Sequence, residues 1–298
     1  MAGSARIGLV GCGSWGRFIL RDLLTLGCRV SVVARSPESR VRAEGADAIV
    51  GNVAELPQVD GIVVATPTST HATVVEQALE HGVPVFVEKP LTDDPDAADR
   101  LAAAADRRLF VMDKWRYHPG VELLAELARG SLGTVRGLET TRIGWSNPHD
   151  DVDASWVLTP HDLSIALAVL GALPEARAAV ADASGAEVAG LVGLLGDSPW
   201  LRLEISVRSP DRRREVLLLC EQGVALLADG YSDHVLVRRN DADEPERHEI
   251  STELPLLREL RAFVEHLQGG PPPRSSAAEG ALVVRRIAEL RALAGAPA

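Results

Sequence analysis

The sequence has few lysines, few cysteines and few aromatic residues. Only Lys89 and Lys114 are lysines among its 31 basic residues, so arginine supplies almost all of the positive charge. Its three cysteines form no C-x-x-C pair, which argues against a disulfide framework and against a zinc site. The net charge of −11 argues against nucleic acid or an anionic membrane as a partner. The only triple basic run, 212–214, is interpreted as a solvated turn or the entry to a strand.

The chain also lacks long hydrophobic runs. No apolar stretch approaches the roughly 20 residues that a membrane-spanning helix needs, and the N-terminal segment lacks the pattern of a secretion signal. Reduced cysteines are typical of the cytoplasm. We therefore expect a soluble cytoplasmic protein with a small-molecule substrate. A length of 298 residues with 46% hydrophobic residues predicts two domains, each with its own core.

Two different patterns of secondary structure divide the chain. From residue 6 to about 115, short β-branched runs alternate with amphipathic helical patterns, which predicts βαβ units around a doubly wound parallel sheet. After Pro119, longer alternating runs predict a mostly antiparallel open sheet, with a helix over His161–Leu170 and two more near the end. The predicted fold class is therefore α/β, with a first domain over 1–117 and a second α/β domain over 118–298.

A glycine motif, G-C-G-S-W-G over 11–16, follows the first predicted strand and opens the first predicted helix. Its first glycine permits a tight turn, its second lets the backbone approach a pyrophosphate, and its third allows close helix–strand packing. Position and spacing together predict that the first domain is a Rossmann domain that binds a dinucleotide. The residues placed at the cofactor are Gly11, Gly13, Ser14, Trp15 and Gly16.

The second predicted strand lacks the acidic residue that holds the ribose 2′-hydroxyl of NAD. It leads instead into Arg35 and Ser36, which can pair with a 2′-phosphate or donate a hydrogen bond to it. No carboxylate is found at this strand end to repel the phosphate. The pattern therefore predicts NADP rather than NAD as the cofactor. The alternative is that Arg35 is a surface arginine of a βα loop.

Two further segments lie at the carboxyl ends of predicted parallel strands, where α/β sheets bind ligands. They contain Thr66, Pro67 and His71 in the first segment, and Glu88, Lys89 and Pro90 in the second. Together with the glycine motif and R-Y-H-P over 116–119, these residues resemble the Gfo/Idh/MocA family, which includes glucose-fructose oxidoreductase and inositol dehydrogenases. The resemblance covers the first domain and, more weakly, the second through P-H-D-L over 160–163.

The resemblance implies a nicotinamide-dependent enzyme in which Thr66, Pro67, His71 and Glu88 lie at the cofactor. It implies that Lys89 contacts the reacting hydroxyl or the nicotinamide, and that the following proline is preceded by a cis bond.

The resemblance also equates His161 with the histidine of the family's D-x-x-x-H pattern. The Asp of that pattern is Val157 in this chain, so Asp153 or Asp162 would have to replace its carboxylate. Family members often form oligomers through the sheet of the second domain, which implies a homodimer or homotetramer here.

The chemistry gives a separate reason to single out Lys89 and His161 as catalytic residues. Hydride transfer at a carbon that bears oxygen requires a proton to move at that oxygen, through a group whose pKa is near the working pH. Either residue can carry this proton, or Lys89 can be a fixed cation while His161 carries it. The alternatives are a salt bridge between Lys89 and Glu88, and a helix-capping role for His161 after Pro160.

The remaining candidates are predicted to line the substrate site. They are Lys114, Arg116, Tyr117, Trp145 and Asp162, the first three at the exit of the sixth predicted strand. Indole rings stack well on sugar rings, which favours Trp145. No metal is predicted, because the acidic loop over 150–153 has no second ligand cluster at a defined spacing.

These observations together predict an NADP-dependent ketoreductase or dehydrogenase. Its substrate would be a hydroxyl or ketone of a sugar, nucleotide-sugar or cyclitol. One alternative is a reductase of a C=N bond in another metabolite, because the same hydride geometry serves an imine. The other is a nucleotide-binding regulatory protein with a decayed catalytic site, which Val157 suggests.

Overall fold

The structure is a computed structural model that describes residues 4–105, 107–147 and 149–296. Its contacts divide it into two compact units. The first unit extends to Lys114 and includes Leu254–Val284, and the second comprises Trp115–Glu253 and the chain from Arg285 onward. The division at 117/118 into a cofactor domain and a substrate domain stays a prediction. The contacts also assign segment 254–284 to the first unit, which the sequence did not predict.

Fourteen strands are described in these residues. They are β1 (Arg6–Val10), β2 (Arg29–Val33), β3 (Ala48–Val50), β4 (Gly61–Val64), β5 (Val85–Glu88), β6 (Leu109–Met112), β7 (Val135–Trp145), β8 (Ala176–Ser184), β9 (Glu187–Leu195), β10 (Trp200–Ser206), β11 (Arg208–Cys220), β12 (Gly223–Leu227), β13 (His234–Arg239) and β14 (Glu246–Glu249). The first unit holds a parallel sheet of order β3-β2-β1-β4-β5-β6. Its central strands are buried Val- and Ile-rich runs, as expected for a parallel sheet. The predicted doubly wound Rossmann sheet is confirmed.

The second unit holds an eight-stranded sheet of order β14-β13-β12-β11-β7-β10-β9-β8. Its neighbouring strands pair antiparallel except β7 and β10, which pair parallel. The predicted mostly antiparallel sheet is therefore confirmed. The basic run over 212–214 lies within β11, with Arg214 opposite Arg142 of β7. It is thus part of a paired strand and not a turn.

Eight α-helices accompany the two sheets in the described residues. They are α1 (Gly16–Thr25), α2 (Pro37–Arg42), α3 (His71–Leu79), α4 (Pro95–Ala104), α5 (Pro119–Ala128), α6 (Ala154–Leu170), α7 (Pro255–Leu267) and α8 (Ala277–Leu293). None of the helices in the described ranges is both long enough and apolar enough to cross a membrane.

Helix α7 explains why the chain returns to the first unit. Its buried face joins the same core as β1 and α1, and Phe263 stacks on Phe86 of β5 with ring centroids 4.9 Å apart. Gly61 of β4 leaves room for this helix, because a Cβ there would come within 2.8 Å of Leu267. Apolar burial therefore fixes α7 against the parallel sheet.

Helix α6 begins at Ala154, which corrects the predicted start at His161. Asp153 caps it, with Oδ1 accepting a hydrogen bond from the Ser155 backbone N–H at 3.0 Å. Pro160 lies inside the helix, where it removes one backbone hydrogen-bond donor. His161 is therefore a mid-helix residue, and the capping interpretation of it is wrong.

Candidate active site

The glycine motif has the shape that a dinucleotide needs. Gly11 has φ +94°, and a Cβ on it would lie 2.5 Å from the carbonyl oxygen of Ala65, while a Cβ on Gly16 would collide with the carbonyl oxygen of Gly11. Gly13, in contrast, has no atom within 4 Å of the place where a Cβ would stand. The first and third glycines are thus required by packing, whereas the second borders open space that a pyrophosphate can approach.

The N-terminus of α1 adds hydrogen-bond donors to this space. The helix begins at Gly16, and its N-cap residue Trp15 provides no side-chain hydrogen bond to the first turn. Backbone N–H groups at such an end are available to an anionic group, and the helix dipole favours negative charge there. The described residues therefore fit a dinucleotide cofactor. Ser14 is exposed beside them and stays a predicted contact.

Trp15 links the glycine motif to the ends of β5 and β6. Its Nε1 donates a hydrogen bond to Oε1 of Glu88, and the Nζ of Lys114 lies 4.4 Å from the centroid of its ring. Glu88 Oε2 accepts a hydrogen bond from the backbone N–H of Lys89 at 3.3 Å. The structure thus brings together four residues that the sequence had placed at the site.

A buried carboxyl cluster lies beside these residues. Burial raises the pKa of Glu88, which Lys89 opposes most strongly and the Trp15 hydrogen bond opposes next. Glu259 of α7 is 1% exposed, and its pKa is raised well above the usual value by burial and then by the charges of Glu88 and Asp113. Both influences favour the uncharged form of the Glu259 carboxyl group.

Sequence reasoning missed Glu259. It lies in an amphipathic helix far from the glycine motif along the chain, and charged residues of such helices usually face solvent. The only signal in the sequence is its place in the apolar register of α7, between the buried residues Leu256 and Phe263.

His71 joins the loops that follow β4 and β5. The ring lies at the start of α3 and is 1% exposed, with Nδ1 2.8 Å from the carbonyl oxygen of Pro90 and Nε2 3.0 Å from that of Thr66. The Lys89–Pro90 peptide bond is cis, as the family resemblance implied. His71 thus holds the two loops in place. Direct contacts of His71, Thr66 and Pro67 with a cofactor stay predictions.

The segment after β2 contains one residue that sequence reasoning overlooked. Ser36 caps α2, with its Oγ accepting a hydrogen bond from the Ser39 backbone N–H at 3.1 Å, and Arg35 is exposed beside it. Glu38 lies in the first turn of the same helix, and hydrogen bonds to its backbone N–H and to Ser36 lower its pKa. A carboxylate is thus available near Arg35 and Ser36 after all.

His161 and Asp162 lie on α6 in the second unit. Asp162 is completely buried and bound to Arg142 of β7, with Nε 3.2 Å from both carboxylate oxygens and Nη2 3.1 Å from Oδ1. Burial raises the pKa of Asp162, and Arg142 is the strongest opposing influence. Asp162 therefore positions Arg142, and its direct contact with a substrate stays a prediction.

Both candidates to replace the carboxylate missing at Val157 bind other groups, and a role of either of them beside His161 stays a prediction. Asp162 is bound to Arg142, and Asp153 Oδ2 accepts hydrogen bonds from Arg291 at 2.6 Å and from the Val188 backbone N–H at 3.1 Å. Each carboxylate is thus already used by another group. His161 itself is half-buried.

The other predicted substrate residues differ in exposure. Arg116 and Tyr117 lie on a short 3-10 turn, Lys114–Tyr117, where Arg116 is half-buried and Tyr117 is buried. Trp145 ends β7 with 73% of its surface exposed, so its indole is open to solvent. Within the described ranges, no group of three or more His, Cys, Asp or Glu side chains is arranged to hold a metal ion.

Comparison with known proteins places the chain in an enzyme family. Residues 5–112 match a family described as "Oxidoreductase family, NAD-binding Rossmann fold". UDP-N-acetylglucosamine 3-dehydrogenase of Acidithiobacillus ferrooxidans is 32% identical over 223 residues, which is 71% of this chain and 70% of that protein. A dTDP-3,4-didehydro-2,6-dideoxy-α-D-glucose 3-reductase of Actinomadura kijaniata is 29% identical and aligns over 51% of this chain and 49% of that protein.

Solved structures share the whole fold. A crystal form of the Acidithiobacillus ferrooxidans dehydrogenase has a TM-score of 0.85 at 23% identity, covering 98% of both chains. A 3-ketoreductase from Actinomadura kijaniata, solved with NADP and TDP-benzene, has a TM-score of 0.85 at 22% identity, covering 99% of this chain and 98% of that one. At such identities these structures establish the fold alone.

Proposed function

Because the chain belongs to the Gfo/Idh/MocA family of NAD(P)-dependent oxidoreductases, we propose that it is an NADP-dependent ketoreductase or dehydrogenase acting on a hydroxyl or ketone of a sugar, nucleotide-sugar or cyclitol. Two relatives are named for nucleotide-linked sugars, which supports that substrate class. Others are named inositol 2-dehydrogenases, which supports a cyclitol. Arg35 and Ser36 support NADP, while Glu38 opposes it. NADP as the cofactor favours reduction as the direction of the reaction.

One observation carries this proposal. Glu88 accepts hydrogen bonds from Trp15 of the glycine motif and from the backbone of Lys89, so one buried carboxyl group ties the cofactor loop to the candidate catalytic lysine. When bound, the nicotinamide cofactor supplies the hydride. The chain has to orient the carbonyl and transfer a proton at its oxygen.

Lys89 is the residue that we assign to the reacting oxygen. It is half-buried at the carboxyl end of β5, and its backbone is held by Glu88. An ammonium group at this position can polarise a carbonyl and donate a proton as the alcohol forms. A guanidinium can polarise the carbonyl but does not give up its proton at ordinary pH. His161 stays the second proposed catalytic residue, as the proton carrier if Lys89 acts only as a fixed cation.

An assay of NADPH oxidation with a panel of keto-sugars and nucleotide keto-sugars tests the proposed function. We expect turnover with at least one member, and faster turnover with NADPH than with NADH. NADPH binding without turnover across the panel would contradict it. That result would favour the nucleotide-binding regulatory protein that Val157 suggests, and turnover with imines alone would favour the C=N reductase.

Assembly through the second sheet also stays a prediction. Val180 of β8 and Leu194 of β9 are 68% and 43% exposed, which leaves apolar area for a second copy to cover. Light scattering of the purified protein would test whether a homodimer or homotetramer forms.

A further inference from the structure

Two arginines lie directly opposite each other in the second sheet. Arg142 of β7 pairs with Arg214 of β11, and both project from the same face as the buried Leu138 and Leu218. Like charges at directly opposed positions of neighbouring strands are destabilising. Each guanidinium therefore needs a compensating partner, and the two differ in what the chain provides.

Arg142 is fully compensated. Its guanidinium is bound to Asp162 and lies 4.5 Å from the centroid of the Trp115 ring. Trp115 is fixed in turn by His118, whose ring stacks on it at 5.0 Å and whose Nε2 is 3.0 Å from the carbonyl oxygen of Gly230. Arg142 is thus a rigid positive group with a dedicated carboxylate.

Arg214 has no such carboxylate. Its Nη1 donates hydrogen bonds to the carbonyl oxygens of Ile143 at 2.5 Å and Arg213 at 2.8 Å, and no acidic group of the described chain lies within ion-pairing distance of it. Burial and then the charges of Arg142 and Arg212 lower the pKa of Arg214 to about 10, which still leaves it protonated at neutral pH.

A count of the surrounding charges gives the same result. The charged groups that act on Arg214 are Arg142, Arg212, Asp162 and Asp229. Arg142 is bound to Asp162, and Arg212 Nη1 lies 3.1 Å from Oδ2 of Asp229. The two pairs cancel, so one positive charge remains, and it belongs to Arg214.

The free edge of Arg214 has the geometry of an anion receptor. With Nη1 used by two carbonyl groups, Nε and Nη2 are left without an acceptor among the described residues. These two donors form the edge of a guanidinium that binds a carboxylate or a phosphate through two parallel hydrogen bonds. Gly144 lies beside this edge, because a Cβ on it would stand 3.7 Å from Nη2. As a glycine, it has no side chain that could cover the two donors.

We propose that Arg214, supported by Arg142, is an anion subsite that binds a phosphate or carboxylate group of the substrate. The proposal rests on the proposed function and narrows its substrate class to anionic sugars, either nucleotide diphosphate sugars or sugar acids. Asp162, which holds Arg142, directly follows the proposed catalytic His161 on α6. The subsite would therefore hold the end of the substrate that does not react, and binding there contributes mainly to KM.

Calorimetric titration of protein saturated with NADP tests this subsite without requiring turnover. The probes are UDP for a diphosphate, glucuronate for a carboxylate and glucose as a neutral sugar. Saturation with NADP blocks the pyrophosphate site at the glycine motif. We expect UDP or glucuronate to bind the wild type, and Arg214→Gln to weaken that binding by about tenfold or more, as for a lost charge-assisted bidentate contact. The probe that responds identifies the source of the anion.

Arg213→Gln is the matched control, because its side chain is exposed and lies on the opposite face of the same strand. We expect it to change the affinity less than about twofold, since exposed charges at such a distance are screened. Arg214→Lys keeps the charge but loses the planar edge, so an intermediate loss is expected. It also provides a second measurement if the glutamine variant does not fold.

Two results would overturn the subsite. One is that neither UDP nor glucuronate binds the wild type, and the other is that Arg214→Gln and Arg214→Lys both bind the probe as tightly as Arg213→Gln does. Direct titration with NADP distinguishes a failure of the subsite proposal from a failure of the proposed function. A failure to bind NADP contradicts the proposed function, whereas normal NADP binding with no effect at Arg214 contradicts only the subsite.

Discussion

The buried charged cluster of the first unit has more acidic than basic groups, and that of the second unit has more basic than acidic groups. In the first unit, the carboxyl groups of Glu88, Asp113 and Glu259 lie close together, with Lys89 and Lys114 as the nearby cations. In the second unit, three arginines, Arg142, Arg212 and Arg214, face the aspartates Asp162 and Asp229. Burial raises the pKa of carboxyl groups in the first cluster and lowers the pKa of an arginine in the second.

The two clusters resolve these surpluses differently because carboxyl groups and guanidinium groups titrate in different ranges. The raised pKa of Glu259 favours its protonated, uncharged form. Arg214 has a lowered pKa of about 10 and keeps its charge. A surplus of buried acid can thus be neutralised inside the protein, whereas a surplus arginine needs solvent or a ligand. Of the two buried clusters, the one in the second unit therefore keeps a positive group for which we propose an anionic ligand.

The largest effect is expected from removing the carboxylate that serves Arg142. Asp162→Asn leaves a buried guanidinium without its counter-charge, which typically costs about 3–5 kcal/mol in the free energy of unfolding. Asp182→Asn is the control, because it breaks an exposed ion pair to Arg208 and exposed pairs contribute about 0–1 kcal/mol. Denaturant unfolding of both variants gives the difference. Equal stabilities would contradict the account of the second cluster.

A pH-dependent effect is expected at Glu259. Its pKa in the folded protein is raised, so between the unfolded and folded pKa values the folded state binds more protons, and stability falls as pH rises. One such group contributes up to about 1.4 kcal/mol per pH unit within that window. Glu259→Gln removes this loss, so the variant should be more stable than the wild type at pH 8 and similar to it near pH 4.5.

Unfolding curves measured from pH 4.5 to pH 8 check this expectation. Glu265→Gln is the matched control, because Glu265 is exposed on the same helix. It should keep the pH dependence of the wild type. If Glu259→Gln also kept it, Glu259 would not be the protonated group of the first cluster.

The smallest effects are expected at the end of β2, where the groups are exposed. Arg35→Gln should weaken NADP binding by about tenfold through loss of a charge-assisted hydrogen bond, and leave NAD binding unchanged. Glu38→Gln should strengthen NADP binding a few-fold, because it removes a negative charge near the 2′-phosphate. Fluorescence titration with both nucleotides measures the ratio. Tighter binding of NAD than of NADP by the wild type would refute the cofactor prediction.

How much of this structure can be predicted from the sequence depends on whether the interacting residues are close together along the chain. The glycine motif could be interpreted from sequence because its turn, its close packing and the start of α1 are set within six consecutive positions, 11–16. The parallel sheet could be predicted for the same reason, because each of its strands is a short apolar run of consecutive residues. Glu259 and Arg214 were not found, because their environments are made by residues far along the chain.

Glu38 was missed for a different reason. It lies five residues after the last residue of β2, beyond the position where an acidic residue was expected, and only the cap geometry of α2 relates it to Ser36. Likewise, the residue pattern predicted a helix from His161, whereas the Asp153 cap sets the start of α6 at Ala154. Hydrogen-bond geometry at helix ends was thus the information that the residue pattern lacked.

The most direct test of the central claim is the turnover number of Lys89→Arg beside Lys114→Arg. The matched pair changes the only two lysines of the chain in the same way. With NADPH and the keto-sugar that the wild type reduces, Lys89→Arg should lose about 100-fold or more in kcat with NADP affinity preserved. Lys114→Arg keeps a cation beside the Trp15 ring and should lose far less. Near-normal turnover by Lys89→Arg would contradict the assignment of Lys89 to the reacting oxygen.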